Sequence, residues 1–502
     1  VINPRKTRFR WSSDRTEDRF TVHDPSTGRP CALVQGGGPP EVDEAVRAAR
    51  AAQRSWNTRP PAERSQYLKK AADLLREHAD ELAELESQEI GKPFQQARFN
   101  DLPAAAGIFE FFAGAVHDLP GSARASNRIL DVTTLTPYGV VAAIIPFNWP
   151  PIHTAGKIAP ALAVGNAVVL KPPEQGALTT LRIVDLLREI LPDDVVHAVP
   201  GGASTGAALV THPLIGKVSF TGAPSTGSAV LKATADNLTP AVMELGGKNA
   251  MIVFADADLD AAVATALEGG FYNQGEACTA ASRLLVERPV YEEFLTRFCP
   301  PVTRLRVGAA LHPETHVGPL VTATQQLRVL HYLAIGEEEG ARIAARAPLP
   351  DDPDLADGFY VAPTVFRDVK PGMRIAREEI FGPVVTVIPF DSAAEAITIA
   401  NDTDFGLVGS VFTTDHPLAL DLADQLDVGI VMVNNYNRSL SGAPFGGTKH
   451  SGFGREHAKE TLADFGYTKT VRLPIGRNPD PLWPAVREVL RSTEDTTGER
   501  TS

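Results

Sequence analysis

Sulfur is scarce in this chain, which has only 3 cysteines and 4 methionines among 502 residues. Cys31, Cys278 and Cys299 are too few and too scattered for a disulfide framework or a structural zinc site, so no metal is expected. Long apolar runs are missing as well. None approaches the ~20 residues a membrane-spanning helix needs, which removes a membrane from the expected partners. Basic charge is in deficit, with 48 Lys and Arg against 61 Asp and Glu and a formal net charge of -13. Nucleic acid is therefore excluded as an expected partner, because its affinity comes largely from neutralising phosphates. The opening "VINPRKTRFRW" is basic but has no apolar core of a secretory signal. A reducing, cytoplasmic setting is the expectation. No internal repeat or low-complexity linker divides the chain.

What remains is ordinary globular composition, 43% hydrophobic and 22% charged, in a chain long enough for two or three domains. A short strand is expected near Phe20–Val22. A helix follows from Pro40, with Val42, Ala45, Val46 and Ala49 on one face. A second helix is expected from about Ala62 to Ile90, closed by Gly91 and Pro93. From Tyr138 short β-branched runs alternate with helical stretches: "GVVAAIIP", "NAVVLKP", "DVVHAVPG", "KVSFTG" and "AMIVFADA". Strands apolar throughout and separated by helices indicate a parallel sheet covered on both faces. A second series, "SRLLVER", "VVTVIPF", "GSVFTT" and "GIVMVN", implies a second α/β unit. "NRILDVTTLTPYG" and "TKTVRLP" are isolated β-like pieces outside both. The polar segment from about residue 490 to 502 reads as a flexible tail.

Ligands of α/β sheets bind beyond the carboxyl ends of the strands, and several polar clusters fall there. In "PFNWP" the prolines fix Asn148, whose amide could donate to an oxyanion, although Asn is also a common turn residue. "KPPE" offers Lys171 and Glu174 to ribose hydroxyls, or is a solvated loop. "SFTGAPSTG" is strand, turn and helix start, suited to receive a phosphate. "MELGGKN" lets Glu244 project from a mobile or tight turn as a candidate base. "DADLD" reads as a helix N-terminus rather than a calcium loop. Cys278 stands in "NQGEACTAASR" between the small residues Ala277 and Thr279; it is either a buried structural thiol or a nucleophile with room for a substrate. A different chemistry is offered by "GASTG", a G-x-S-x-G match with Ser204 as a hydrolase nucleophile and His312 or His331 as partner, though no oxyanion segment precedes it.

Together, "PFNWP", "KPPE", "FTG", "ELGGK", "NQGEACTAASR", "EEIFGPV" and "PFGGTKHSGFGRE" resemble the aldehyde dehydrogenase superfamily in order and spacing, from about Phe20 to Pro474. The resemblance implies a Rossmann-like α/β cofactor-binding domain (1–121 and 138–245), an α/β catalytic domain (246–450) and a small β oligomerisation element (122–137 and 466–475). It implies NAD, with NADP possible, and a homodimer or homotetramer. It makes Cys278 the nucleophile that forms a thiohemiacetal and then a thioester, and Asn148 with the Cys278 N–H the oxyanion donors. Glu244 becomes the base that activates water, with Lys157 and Glu456 on a proton path around it. The Glu244–Cys278 pairing speaks against the CoA-acylating branch. Lys171 and Glu174 fall where the adenosine ribose binds. The groove would continue through Phe220, Thr221, Gly222, Ser225, Gly227, Leu245 and Gly246 to Glu379 and Phe381 at the nicotinamide ribose.

Departures from the pattern concern both ligands. Ala223 stands where many relatives have a phosphate-binding serine, leaving Ser225 as the substitute. Gly156 and Ser439 replace two rings common in oxidisers of small aldehydes, while Trp149, Tyr272 and Phe445 keep aromatic surface and His153 adds a polar group. A wide, flat-sided tunnel for a bulky aromatic or cyclic aldehyde is the expectation; a small aliphatic or amino aldehyde is the alternative.

Overall fold

The computed structural model describes residues 19–126, 128–436, 441–475 and 483–495. Its first sheet runs from edge to edge through Gly452–Phe453, Ala241–Glu244, Ile215–Thr221, Val140–Ile144, Ala167–Lys171 and Val196–Ala198. All its pairings are parallel except that of Gly452–Phe453 with Ala241–Glu244. The central strands VVAAI and AVVLK are buried at every residue. Their alternate side chains serve two layers, as a pleated strand requires. Val140 and Ala142 pack with Val42, Ala45, Val46 and Ala49 of the helix Pro39–Asn57. Val141 and Ala143 pack with Ile158 and Leu162 of the helix Pro150–Val164 on the other side.

The second sheet orders Arg342–Arg346, Thr364–Arg367, Val384–Phe390, Arg283–Glu287, Ala250–Val253, Val408–Phe412 and Ile430–Val433. It is parallel apart from the Arg342–Arg346 edge. Ala250–Val253, which its local pattern groups with the first series, lies between Arg283–Glu287 and Val408–Phe412 of this second sheet. Local residues specify a buried strand; long-range pairing decides which sheet receives it. The helix expected over 62–90 is two helices, Pro61–Glu77 and Ala79–Ile90, because His78 leaves helical geometry at φ -98° and ψ 17°. Gly91 ends the second one at φ 79°, the left-handed cap for which glycine is suited.

The two isolated β-like pieces meet in a third, antiparallel sheet of Gly121–Ser126, Ile129–Pro137 and Gly466–Pro474. A helix over Pro484–Asp495, with Val486, Val489 and Leu490 at helical spacing, takes in the first residues of the segment read as a tail. Residues 496–502 lie outside the described residues. Asp258 caps the helix Leu259–Phe271 through Asp260 and Ala261 N–H at 3.1 Å, in keeping with the helix start expected of "DADLD". Among the described residues no helix is long and apolar enough to cross a membrane, and no His, Cys, Asp and Glu group could hold a metal ion.

Candidate active site

The strands of the first sheet end at Ile144, Lys171, Thr221 and Glu244, and a continuous cleft opens beyond them. Its two lobes, about 550 and 560 Å³, share Pro146, Thr221, Gly222 and Ala223. The outer lobe is walled by Lys171, Glu174 and Phe220. The inner lobe is walled by Asn148, Ser225, Leu245 and Gly246, and by Cys278, Glu379 and Phe381. Between the lobes the helix Pro224–Ala235 points its first turn at the cleft, with Ala223 at its cap and no capping side chain. Unsatisfied N–H groups there suit a phosphate. Lys171 donates to the Pro172 carbonyl at 3.0 Å, and Glu174 stands exposed beside Gly202. Gly227 backs the wall, since a Cβ there would meet Leu245 at 2.6 Å.

Glu379 is fixed by the Gly247 N–H, donated at 2.9 Å. Burial raises its carboxyl to about 7. Gly246 must be glycine for this approach, because a Cβ would sit 2.3 Å from Glu379 Oε2. Phe381 takes a left-handed φ of 62° and meets Phe147 edge-on at 5.9 Å.

Cys278 follows the helix Leu259–Phe271 on a loop whose Asn273 and Gln274 have φ of 49° and 46°. The loop is tied to the second sheet by Asn249. Its Nδ2 donates to the carbonyls of Cys278 at 2.8 Å and Ala280 at 2.9 Å, while Val408 N–H donates to its Oδ1 at 3.0 Å. Ala277 and Thr279 are buried on either side. Cys278 keeps access from the cleft, but burial pushes its thiol pKa up, and the charges of Glu379 and Glu244 add to this.

Asn148 is held from every side. Its Nδ2 donates to Glu276 carbonyl at 3.1 Å, and its Oδ1 lies 3.3 Å from His153 Nε2. Its own carbonyl accepts from Lys92 Nζ at 2.9 Å and Asn273 Nδ2 at 3.0 Å. Lys92 is fully buried, bonded to Glu86 at 2.5 Å and to Asp101, with the Trp149 ring 5.4 Å away. Tyr272 spends its hydroxyl on Asp101 at 2.8 Å.

Glu244 is the last residue of its strand, not the tip of a mobile turn, because Gly452 pairs with it across the sheet edge. Both its carboxyl oxygens are buried without a hydrogen-bond partner. Burial raises its pKa well above the carboxylate range, and Glu456 adds to this while Lys157 opposes it. Lys157 itself bonds Glu456 at 2.8 Å and Ser219 Oγ at 3.1 Å. The space expected at Gly156 is not open. His457 fills it, with Nε2 only 2.8 Å from where a Cβ would stand, and Phe445 packs on that imidazole at 5.5 Å. Ser439 lies outside the described residues. Ser204 sits exposed in the first turn of Ala203–Thr211, and no hydrogen bond links it to His312 or His331, so no hydrolase site is assembled.

The model of the aldehyde dehydrogenase family matches residues 11–471. An aldehyde dehydrogenase of Didymella fabae is 47% identical over 96% of this chain and 97% of its own length. The chain belongs to the aldehyde dehydrogenase family. A second relative, aldehyde dehydrogenase citD of Monascus ruber, is 45% identical over 97% of each chain. Among solved structures, PnpE from Pseudomonas sp. WBC-3 superposes with a TM-score of 0.91 at 40% identity, covering 93% of this chain and 96% of that one. PnpE has also been solved in complex with nicotinamide adenine dinucleotide.

This aldehyde dehydrogenase thus brings a thiol and a carboxamide to one cleft, with an unpartnered carboxyl buried at the strand end nearby. The set can attack a carbonyl, hold the oxygen that becomes negative and move protons. Sequence reasoning missed Lys92, Asn249 and His457. For Asn249 the adjoining "ELGG" was a signal. Lys92 shows only as a lysine between a helix-ending glycine and a proline, and nothing local marks His457.

Proposed function

We propose that this aldehyde dehydrogenase oxidises a bulky aromatic or otherwise cyclic aldehyde to its carboxylic acid, with NAD as the oxidant and NADP as the weaker alternative. The observation that carries the reading is the convergence of Cys278, Asn148 and Glu379 on the inner lobe, with Glu244 left unpartnered beside the first sheet's end. Lys171 and Glu174 would hold the adenosine ribose, the first turn of Pro224–Ala235 the phosphates, and Glu379 the second ribose. The close Gly246–Glu379 approach and the uncapped helix end fit such a group. When bound, a nicotinamide supplies a two-electron hydride acceptor.

The chain's own residues then divide the work. Burial disfavours the Cys278 thiolate, so the thiol proton passes to water in the cleft as sulfur bonds to the aldehyde carbon. Asn148 Nδ2 keeps one hydrogen on Glu276 and offers the other to the developing oxyanion of the thiohemiacetal. After oxidation leaves a thioester on Cys278, Glu244 takes a proton from the attacking water. Lys157 and Glu456 pass that proton from the buried site. Flat surfaces from Trp149 and Phe445, each set against an imidazole, suit a ring better than a short chain.

The two open sheets would serve as cofactor-binding (1–121 and 138–245) and catalytic (246–450) units. The three-stranded sheet, with Tyr467, Val471 and Leu473 exposed, would pair copies into a dimer or tetramer. Three free cysteines fit a reducing cytoplasm. The test is NAD and NADP reduction over aliphatic, aromatic and terpenoid aldehydes. A higher kcat/KM for benzaldehyde than for acetaldehyde is expected, and a strong acetaldehyde preference overturns the substrate assignment. Light scattering that finds a stable monomer overturns the assembly.

A further inference from the structure

Among the described residues three buried imidazole nitrogens have no hydrogen-bond partner; His197 Nε2 lies 3.4 Å from Asp194, and the other two are His153 Nδ1 and His457 Nε2, the latter 4.0 Å from Glu456 Oε2. A buried polar atom left so costs about 1–3 kcal/mol, which a ligand can recover. The two rings come from distant elements and meet around Gly156. His153 lies three residues before it on Pro150–Val164, and His457 Nε2 occupies the volume a side chain at 156 would fill. Each ring joins an aromatic wall, His153 with Trp149 at 6.4 Å and His457 with Phe445 at 5.5 Å. The residues are 8% and 9% exposed, while the two nitrogens themselves are buried. His457 is held there at a left-handed φ of 64°, a conformation that costs energy and clusters at functional sites.

We propose that His153 and His457 form a polar subsite for a hydroxyl group on the aldehyde, remote from the carbonyl that Cys278 attacks. This rests on the aromatic-aldehyde reading above and narrows it to hydroxylated rings. Hydrogen bonding assigns the direction. Asn148 Nδ2 donates to Glu276 carbonyl, so its Oδ1 faces His153 and must receive the Nε2–H. In the neutral ring Nδ1 is then a bare acceptor, and its partner must be a donor. Burial, with the nearby charge of Lys157, holds both histidines below their ordinary pKa, against an opposing pull of Glu456 on His457, and so favours the neutral rings. A hydroxyl can donate to His153 and still accept from or donate to His457. A quaternary ammonium has no hydrogen to donate and would face Lys92 and Lys157 instead.

The experiment compares kcat/KM for matched aldehydes with and without a hydroxyl, in a ring series (hydroxybenzaldehydes against benzaldehyde) and a chain series (4-hydroxybutanal against butanal). Wild type is expected to prefer the best hydroxylated ring by about tenfold or more, as sites built around a polar partner do. In His153→Leu and in His457→Leu that ratio should fall to within about threefold, and because it is a ratio inside each variant, any general loss through Asn148 cancels. If His153→Leu does not fold, His457→Leu and the wild-type ratio decide. No hydroxyl preference in either series overturns the subsite while leaving a benzaldehyde preference intact. A hydroxyl preference that survives both substitutions overturns the assignment to these residues. Acetaldehyde preferred over benzaldehyde overturns the ring reading, and the chain series then decides the subsite by itself.

Discussion

Replacing Glu244 by Gln tests the division of labour most directly. The carboxyl is buried, both oxygens lack partners, and its pKa is raised well above the usual range by burial and then by Glu456. An amide of the same shape therefore enters a site that already disfavours the charged carboxylate, and folding should survive. What disappears is the base that takes the proton from water. General-base contributions run to about 10²–10⁴, so steady-state turnover should fall by about that factor. Acylation of Cys278 does not need that water, and stopped-flow absorbance should still record a rapid single-turnover burst of reduced cofactor followed by a near-stall.

Stability supplies a second readout with a definite sign. A carboxyl whose folded pKa lies above its unfolded value of about 4.3 favours the fold at low pH and loses that contribution as pH rises toward the folded value. Glu244→Gln should therefore gain melting temperature relative to wild type as pH is raised above about 5. A slow variant with no burst would refute the argument, because it would place Glu244 in the activation of Cys278 rather than in hydrolysis. So would unchanged turnover.

Two further outcomes are expected. Glu379 titrates at about 7, and below that pH it loses the charged acceptor offered to a ribose hydroxyl, so KM for NAD should rise from pH 8 to pH 6. Glu379→Gln should raise KM at pH 8 by about tenfold or more and flatten the profile, and an unflattened profile refutes the assignment. Lys92→Met strands Asp101 in the interior. Removing one partner of a buried ion pair costs about 3–5 kcal/mol, and the lower end applies because burial raises the Glu86 carboxyl well above its usual range, which favours its neutral form. Urea melts showing a loss below about 1 kcal/mol would count against Lys92 as the anchor of the Asn148 turn.

The sequence by itself determined the strands, because runs such as VVAAI and AVVL are apolar at every position and can only be covered on both faces. It also determined the chemistry-bearing turns, since prolines and glycines mark them and their order along the chain is informative. Cys278, Asn148 and Glu379 needed no coordinates to be singled out. Other features depend on partners hundreds of residues away, and no local pattern encodes those. Tertiary pairing set Ala250–Val253 between Arg283–Glu287 and Val408–Phe412 and made Glu244 the end of a strand. The same is true of the pocket. A glycine at position 156 reads as empty space in one dimension, but the folded chain brings His457 back from 301 positions later to fill it. Only then do two imidazoles each show a buried nitrogen with no hydrogen-bond partner, and the question of what they bind becomes visible.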